Sequence, residues 1–418
     1  MKERVRDWAR QLGPGLITGA ADDDPSGIAT YSQAGAQFGF LTLWTVVFTY
    51  PLMVGIQMVS ARIGRVTGHG LASNIGRHFP RPVVYGIVVL LVVANTINIA
   101  ADIAAMGDAL QLVVGGPTHG HAVVIGIACL LLQVFMSYRR YVRYLKWLTL
   151  ALLSYVLLLL TIDIPWSEVA AHSIRPHFSL TTQYLTVVVA VLGTTISPYL
   201  FFWQASQEVE ELNADPDAGA LAHAPEGAAE HLRRIKIDTY LGMAFSNLVA
   251  FCIILGTAAT LNVAGVTDIE TSAQAARALR PLAGEFAFLL FALGIIGTGM
   301  IAVPVLAGSA AYAVAEIFEW KRGLDLRLLE AREFYAIIAL ATLGGIALDF
   351  SPIEPIRALF WSAVINGVVA VPIMVILMLL ADDAKVMGEF IVTRRLKALG
   401  WLATGSMAAA VVAMFATW

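Results

Sequence analysis

Charge is what this sequence has least of. Only 14% of its 418 residues are Asp, Glu, Lys or Arg, against 58% hydrophobic, and a soluble globular domain needs a far more polar surface than that. Cysteine is almost missing. Cys129 and Cys252 both sit in apolar runs without metal-site spacing; a disulfide between them stays open, but small buried hydrophobes are the simpler reading. No His-Glu-x-x-His, Gly-x-Ser-x-Gly or paired Asp-Asp-x-x-Asp pattern is present, which argues against a membrane-bound hydrolase or prenyl transferase. No loop is long enough for a catalytic domain. The longest, about 208–236, is acidic in its first part, has an Asn213 to Gly219 turn cluster, and carries Glu208, Glu210 and Glu211 as an expected solvated cytoplasmic lip. Met1 to Arg10 reads as a short basic lead and not as a cleaved signal peptide, because the apolar segment after it is interrupted by acids.

Apolar runs, by contrast, recur from end to end. They predict about eleven transmembrane helices, at 12–33, 39–60, 83–114, 122–138, 144–162, 181–207, 237–262, 282–314, 334–349, 356–380 and 400–417. With the N-terminus placed in the cytoplasm, all 27 lysines and arginines except Arg175, Arg277, Arg280 and Arg357 fall on the inner side. A miscounted span would reverse that bias downstream, so the alternation supports both the count and the orientation, with the C-terminus outside. The basic clusters therefore read as topology signals and give no case for nucleic acid.

Two of these spans are interrupted. In the first, Asp22, Asp23 and Asp24 lie at mid-bilayer depth and are followed by Pro25, Ser26 and Gly27. An ionised carboxylate in hydrocarbon costs about 3 kcal/mol even on lenient scales, so at least one must face water or a cation. Proline removes an N–H and glycine tolerates non-helical dihedrals, which together predict an unwound break whose free carbonyls and carboxylates make an oxygen-lined cation site. In the sixth span Gly193, Thr194, Thr195, Ser197 and Pro198 interrupt an otherwise apolar helix at a corresponding depth. Five spans separate the breaks, and five is odd, so the second set of helices must enter from the opposite side. This is the pattern of an inverted repeat, 1–163 against 181–380, with residues 396–418 adding a further helix. Asn95, Asn98 and Asp102 form a polar stripe in the third span, and Asn366 stands in the tenth; each either lines the pathway or ties helices together.

These residues carry a resemblance. GPGLITGA before the first break, then SQAGAQFGFLTLW, ARIGRVTGHGLA, GTTISPY, Asn366-Gly367 with Pro372, and MGEF at 387–390 are, as a set, similar to the NRAMP family of divalent metal transporters. The resemblance implies an all-α polytopic membrane protein with a LeuT-like 5+5 inverted repeat and broken helices 1 and 6. It also implies alternating access, in which spans one, two, six and seven rock against the rest. The family's first-helix motif is Asp-Pro-Gly-Asn with Asp and Asn as metal ligands; here Asp24 and Pro25 match, but Ser26 and Gly27 follow and the Asn is absent. Its sixth-helix motif is Met-Pro-His with a sulfur ligand; here stand Ser197, Pro198 and Tyr199. Carbonyl ligands would fall at Ala21 and Thr194.

On this basis Asp24, Ala21, Thr194 and Ser197 are the expected metal ligands. Asp22, Asp23, Gly27, Asn98, Asp102, Tyr199, Gln204 and Asn366 are the candidate pathway or supporting residues. A donor set of oxygen alone suits a hard cation. The loss of two larger ligands is expected to enlarge the site, favouring partly hydrated magnesium, the cargo of a subgroup that this chain resembles, with manganese as the alternative. The resemblance places the proton route at a sixth-helix histidine and a second one beyond it, where this chain has Tyr199 and Gln204, and Ala104 stands where a third-helix glutamate is expected. Neither Tyr nor Gln titrates near neutrality, so uptake driven by membrane potential is expected, at about 4.6 kcal/mol per 100 mV for a dication. Competing readings are a proton-coupled transition-metal transporter, a sodium-coupled symporter of an organic solute, and a non-transporting sensor. The expected partners are the cation and membrane lipid, with no resident cofactor, and the expected location is a bacterial inner membrane.

Overall fold

The computed structural model describes residues 18, 19, 21–136, 148–214 and 219–418. The basic lead, the start of the first expected span, the start of the fifth and part of the 213–219 turn cluster lie outside them. Where the chain is described it is helical, and the apolar composition dictates the arrangement: Val89, Leu131, Leu340 and Val412 face outward, while Asp22, Asp23, Asp24, Asn98, Asp102 and Asn366 are buried. Polar side chains inside and apolar ones outside is the order expected of a chain solvated by lipid.

The main helices in chain order are α1 (Pro25–Phe38), α2 (Leu43–Thr67), α3 (Leu71–His78), α4 (Arg81–Val114) and α5 (Thr118–Phe135). They continue with α6 (Leu153–Leu158), α7 (Trp166–Ile174), α8 (Thr182–Thr195), α9 (Pro198–Ala214) and α10 (Ala228–Thr257). The last are α11 (Ala287–Ile317), α12 (Arg332–Asp349), α13 (Pro355–Asp382) and α14 (Arg394–Ala416). Among the described residues, 8 helical stretches are long and apolar enough to cross a membrane. The difference from the predicted number has local causes. The first two expected spans run together as Pro25–Thr67, joined by a 3-10 turn at Gly39–Thr42. The ninth forms as α12, but its ends carry Arg332, Glu333 and Asp349. The fifth is described only from Leu148 onward.

Both expected breaks are present. Residues 18, 19, 21 and 22 are helical, Asp23 bends, and Asp24 is extended (φ −69°, ψ 170°) before Pro25 opens α1. Ile196 leaves the helical region (φ −122°, ψ 61°) after α8, and Pro198 opens α9. At the first break the residue directly before the proline is pushed away from helical dihedrals, and at both breaks the proline takes the first helical position, where no N–H is needed. Around the breaks, α1 packs on α8, α10 and α13, and α4 packs on α5, α11, α12 and α13.

Of the glutamates after the sixth span, Glu208 corrects one expectation, since it is buried and not part of a solvated lip, whereas Glu210 and Glu211 stay partly exposed. Glu208 is fully buried and paired with Arg234 of α10 at 2.5 Å, and Arg234 also reaches Glu211 at 2.7 Å. Glu210 accepts from Tyr312 and from the backbone N–H of Leu324. A cation on a neighbouring helix and free backbone donors in the 318–331 turn draw these carboxylates inward, because burial without such partners would be prohibitive.

Candidate functional site

The site is built where the two breaks meet. Asp24 caps α1: its Oδ1 accepts from the backbone N–H of Gly27 at 2.7 Å and from Ser26 Oγ at 2.7 Å. The positive end of the α1 dipole thus faces the carboxylate. Asp24 Oδ2 accepts from Asn98 Nδ2 of α4 at 3.0 Å, and Asn98 Oδ1 in turn lies 2.7 Å from the Ser362 hydroxyl of α13.

On the opposite side of the break, the carbonyl of Ala21 accepts from the Tyr199 hydroxyl at 3.1 Å, so the first residue pair of α9 is tied to the end of the helical segment before α1. Thr194 approaches from α8; a Cβ placed on Gly27 would stand 3.2 Å from its Oγ1. Ala21, Asp24, Gly27, Thr194 and Tyr199 therefore lie together where the two breaks meet. Tyr199 is larger than the histidine it replaces and spans the gap to Ala21, while Tyr31 and Thr194 crowd the position where Gly27 leaves out a side chain.

Ser197 is placed at the break, but its hydroxyl turns back into its own helix, donating toward the carbonyls of Gly193 and Thr194, each 2.9 Å away. That hydroxyl closes the end of α8, which has lost its continuing N–H donors, and it competes with a cation for the Thr194 carbonyl. Asp22 and Asp23 turn toward α10, where Ser246 Oγ lies 2.5 Å from Asp22 Oδ2 and 3.1 Å from Asp23 Oδ1. Gln204 is tied to α2, its Oε1 accepting from Gln57 Nε2 at 3.1 Å. Asp102 and Asn366 are fully buried, with no protein hydrogen bond to either side chain. Asn95 binds the Leu306 carbonyl and Ser309 and so serves as a tie between α4 and α11.

Three residues at this centre were not singled out by the sequence: Ser246, Gln57 and Ser362. Each sits in a long helix without a motif of its own, and only the partner on another helix reveals its part. Among the described residues no group of three His, Cys, Asp or Glu side chains is arranged to hold a metal. A cation here would need backbone and hydroxyl oxygens beside Asp24. A cavity of about 430 Å³ at the far end of α1 is lined by Gln33, Asp268 and Arg357 and reaches inward to Ala29. Arg357 pairs with Glu270 across its rim.

Comparison with known proteins bears on the fold and the family. Two divalent metal cation transporters called MntH, from Klebsiella pneumoniae strains, are each 27% identical to this chain, over 93% and 94% of it and 90% of their own lengths. Crystal structures of the Eremococcus coleocola manganese transporter superpose with a TM-score of 0.77 at 18% identity, over 97% of this chain and 86% of that one. MHP1, a nucleobase-cation-symport-1 family transporter, shares the fold at a TM-score of 0.59 and 13% identity, over 97% and 92% of the two chains. The broken-helix, LeuT-like architecture of a multi-pass membrane protein is thus shared with these transporters. The natural resistance-associated macrophage protein-like (Nramp) family matches residues 15–417, and the chain belongs to that family.

Proposed function

We propose that this protein is a secondary transporter carrying divalent metal cations across a membrane by alternating access, with Asp24 as the charged ligand. The observation that carries the reading is a fully buried carboxylate held between two broken helices, beside the Ala21 and Thr194 carbonyls. Charged oxygen at that depth persists where a cation or water restores the hydration it has lost. We retain eleven spans in two inverted five-helix sets, an inner N-terminus, an outer C-terminus and a bacterial inner membrane as parts of this proposal. The alternation of basic residues and the bacterial relatives support them.

Manganese is the cargo that the relatives favour, since the superposable structures are of a manganese transporter and the similar sequences are of divalent metal cation transporters. Magnesium is the second reading, favoured by a specific observation: Ser197 and Gly27 stand where the family resemblance implies sulfur and amide ligands, so the expected ligands Asp24, Ala21, Thr194 and Ser197 offer oxygen alone. Transport without an obligatory proton is supported by Tyr199 and Gln204, neither of which titrates near neutrality.

Uptake into proteoliposomes of manganese, magnesium and calcium in turn, with a pH-sensitive dye inside, tests the proposal. Uptake of one dication in preference to the others supports it; no uptake of any overturns it. Acidification tied to cation movement would replace the uncoupled mechanism by a proton-coupled one. The cargo question has its own variant. Ser197→Met should raise the preference for cadmium over magnesium by about tenfold, because a thioether adds a soft ligand where a hydroxyl stood. Competition between the two ions in the same vesicles measures it, and an unchanged ratio would remove Ser197 from the selectivity site.

A further inference from the structure

Two helices supply buried donors to the Asp24 carboxylate, and a third reaches it through one of them. Two of the donors, Ser26 Oγ and Gly27 N–H, belong to the same turn as Asp24 and move with it. The third, Asn98 Nδ2, comes from α4 and is the one that reaches Oδ2. Its orientation follows from charge. With the amide reversed, Asn98 Oδ1 would oppose the carboxylate; with the NH2 toward Asp24, Oδ1 must face Ser362.

Ser362 Oγ lies 2.7 Å from Asn98 Oδ1 and 2.7 Å from the Leu359 carbonyl of its own helix. Neither of these two acceptors has a proton to give, so the single Ser362 hydroxyl proton is shared between Asn98 Oδ1 and the Leu359 carbonyl, and Ser362 is the donor in its contact with Asn98. Ser362 acts through Asn98, as a positioning residue: its hydroxyl bonds to Asn98 and to its own helix, and the donors to Asp24 are Ser26, Gly27 and Asn98.

A carrier that accumulates its cargo must cross back without it, and on that step the mid-membrane carboxylate has no cation to face. Donors from the protein must then hold the charge, or the crossing becomes slow. We propose that the Ser362–Asn98 pair is the device that holds Asp24 on this return step. Net uptake then depends on Ser362, whereas exchange of one bound cation for another, which never requires the unloaded crossing, does not. The inference deepens the transport reading and rests on it.

The test compares two assays in the same proteoliposomes, using radioactive manganese: net uptake into cation-free vesicles, and tracer exchange with equal manganese on both sides. Ser362→Ala should lower net uptake by about tenfold while exchange stays within about twofold, as expected for the loss of one hydrogen bond on a single step. Ser362→Thr keeps the hydroxyl and should restore net uptake. Exchange at the starting rate also reports that the variant is folded. Equal loss in both assays, or loss in neither, overturns the proposal. Absence of both activities in the unaltered protein would instead overturn the transport reading itself.

Discussion

Asp24→Asn lowers divalent-cation uptake by at least about a hundredfold, a larger loss than removing a group that merely supports a metal ligand. The fold should survive. Asparagine caps helices about as well as aspartate, and its carbonyl can still accept from Ser26 and the Gly27 N–H, the two bonds that start α1. The cost is confined to the other atom, where a new NH2 would meet the Asn98 NH2 until that amide turns over, a matter of about 1 kcal/mol. Lost is the unit of negative charge in a site of low dielectric, where it counts for far more than in water. Uptake and thermal unfolding of the purified variant together check this. Uptake within a few-fold of the starting protein, with an unchanged melting temperature, would mean that Asp24 is not the cation's ligand.

Gly193→Val should destabilise the protein by about 3 kcal/mol or more, the upper end of what overpacking costs. At this position α8 and α13 approach through their backbones: a Cβ on Gly193 would lie 2.2 Å from the Ala363 carbonyl oxygen and 2.5 Å from Gly367 N. Neither atom belongs to a side chain that can turn aside, so the two helices must separate. Their separation would also move Ser362, one residue from Ala363, away from Asn98. Thermal unfolding in detergent, with gel filtration to detect aggregation, measures the loss. Wild-type stability would show that the two helices are not held this closely.

Much of this architecture is legible in the amino-acid sequence because a lipid solvent permits few solutions. Apolar runs of crossing length must become helices, and an Asp-Asp-Asp-Pro or Ser-Pro interruption inside one must become a break, since the proline removes the donor and the backbone must be satisfied some other way. Asp24 was therefore identifiable as the charged centre without any knowledge of its neighbours. Ser197 was identifiable as a break residue, but not as one whose hydroxyl is turned toward the Gly193 and Thr194 carbonyls. The depth of a residue can be read along one helix; the direction of its side chain is decided by what lies across from it.

The same division accounts for the rest. Sequence alone determined the membrane solvent, the two broken helices and the acidic centre, because each follows from local composition and the cost of leaving polar groups in hydrocarbon. Only the tertiary structure decided that Tyr199 closes over Ala21, that Asp22 and Asp23 turn to Ser246, and that Ser362 reaches Asp24 through Asn98. Those contacts join residues from 74 to 264 positions apart in the chain, and no periodicity within one helix specifies which face of a distant helix it will meet.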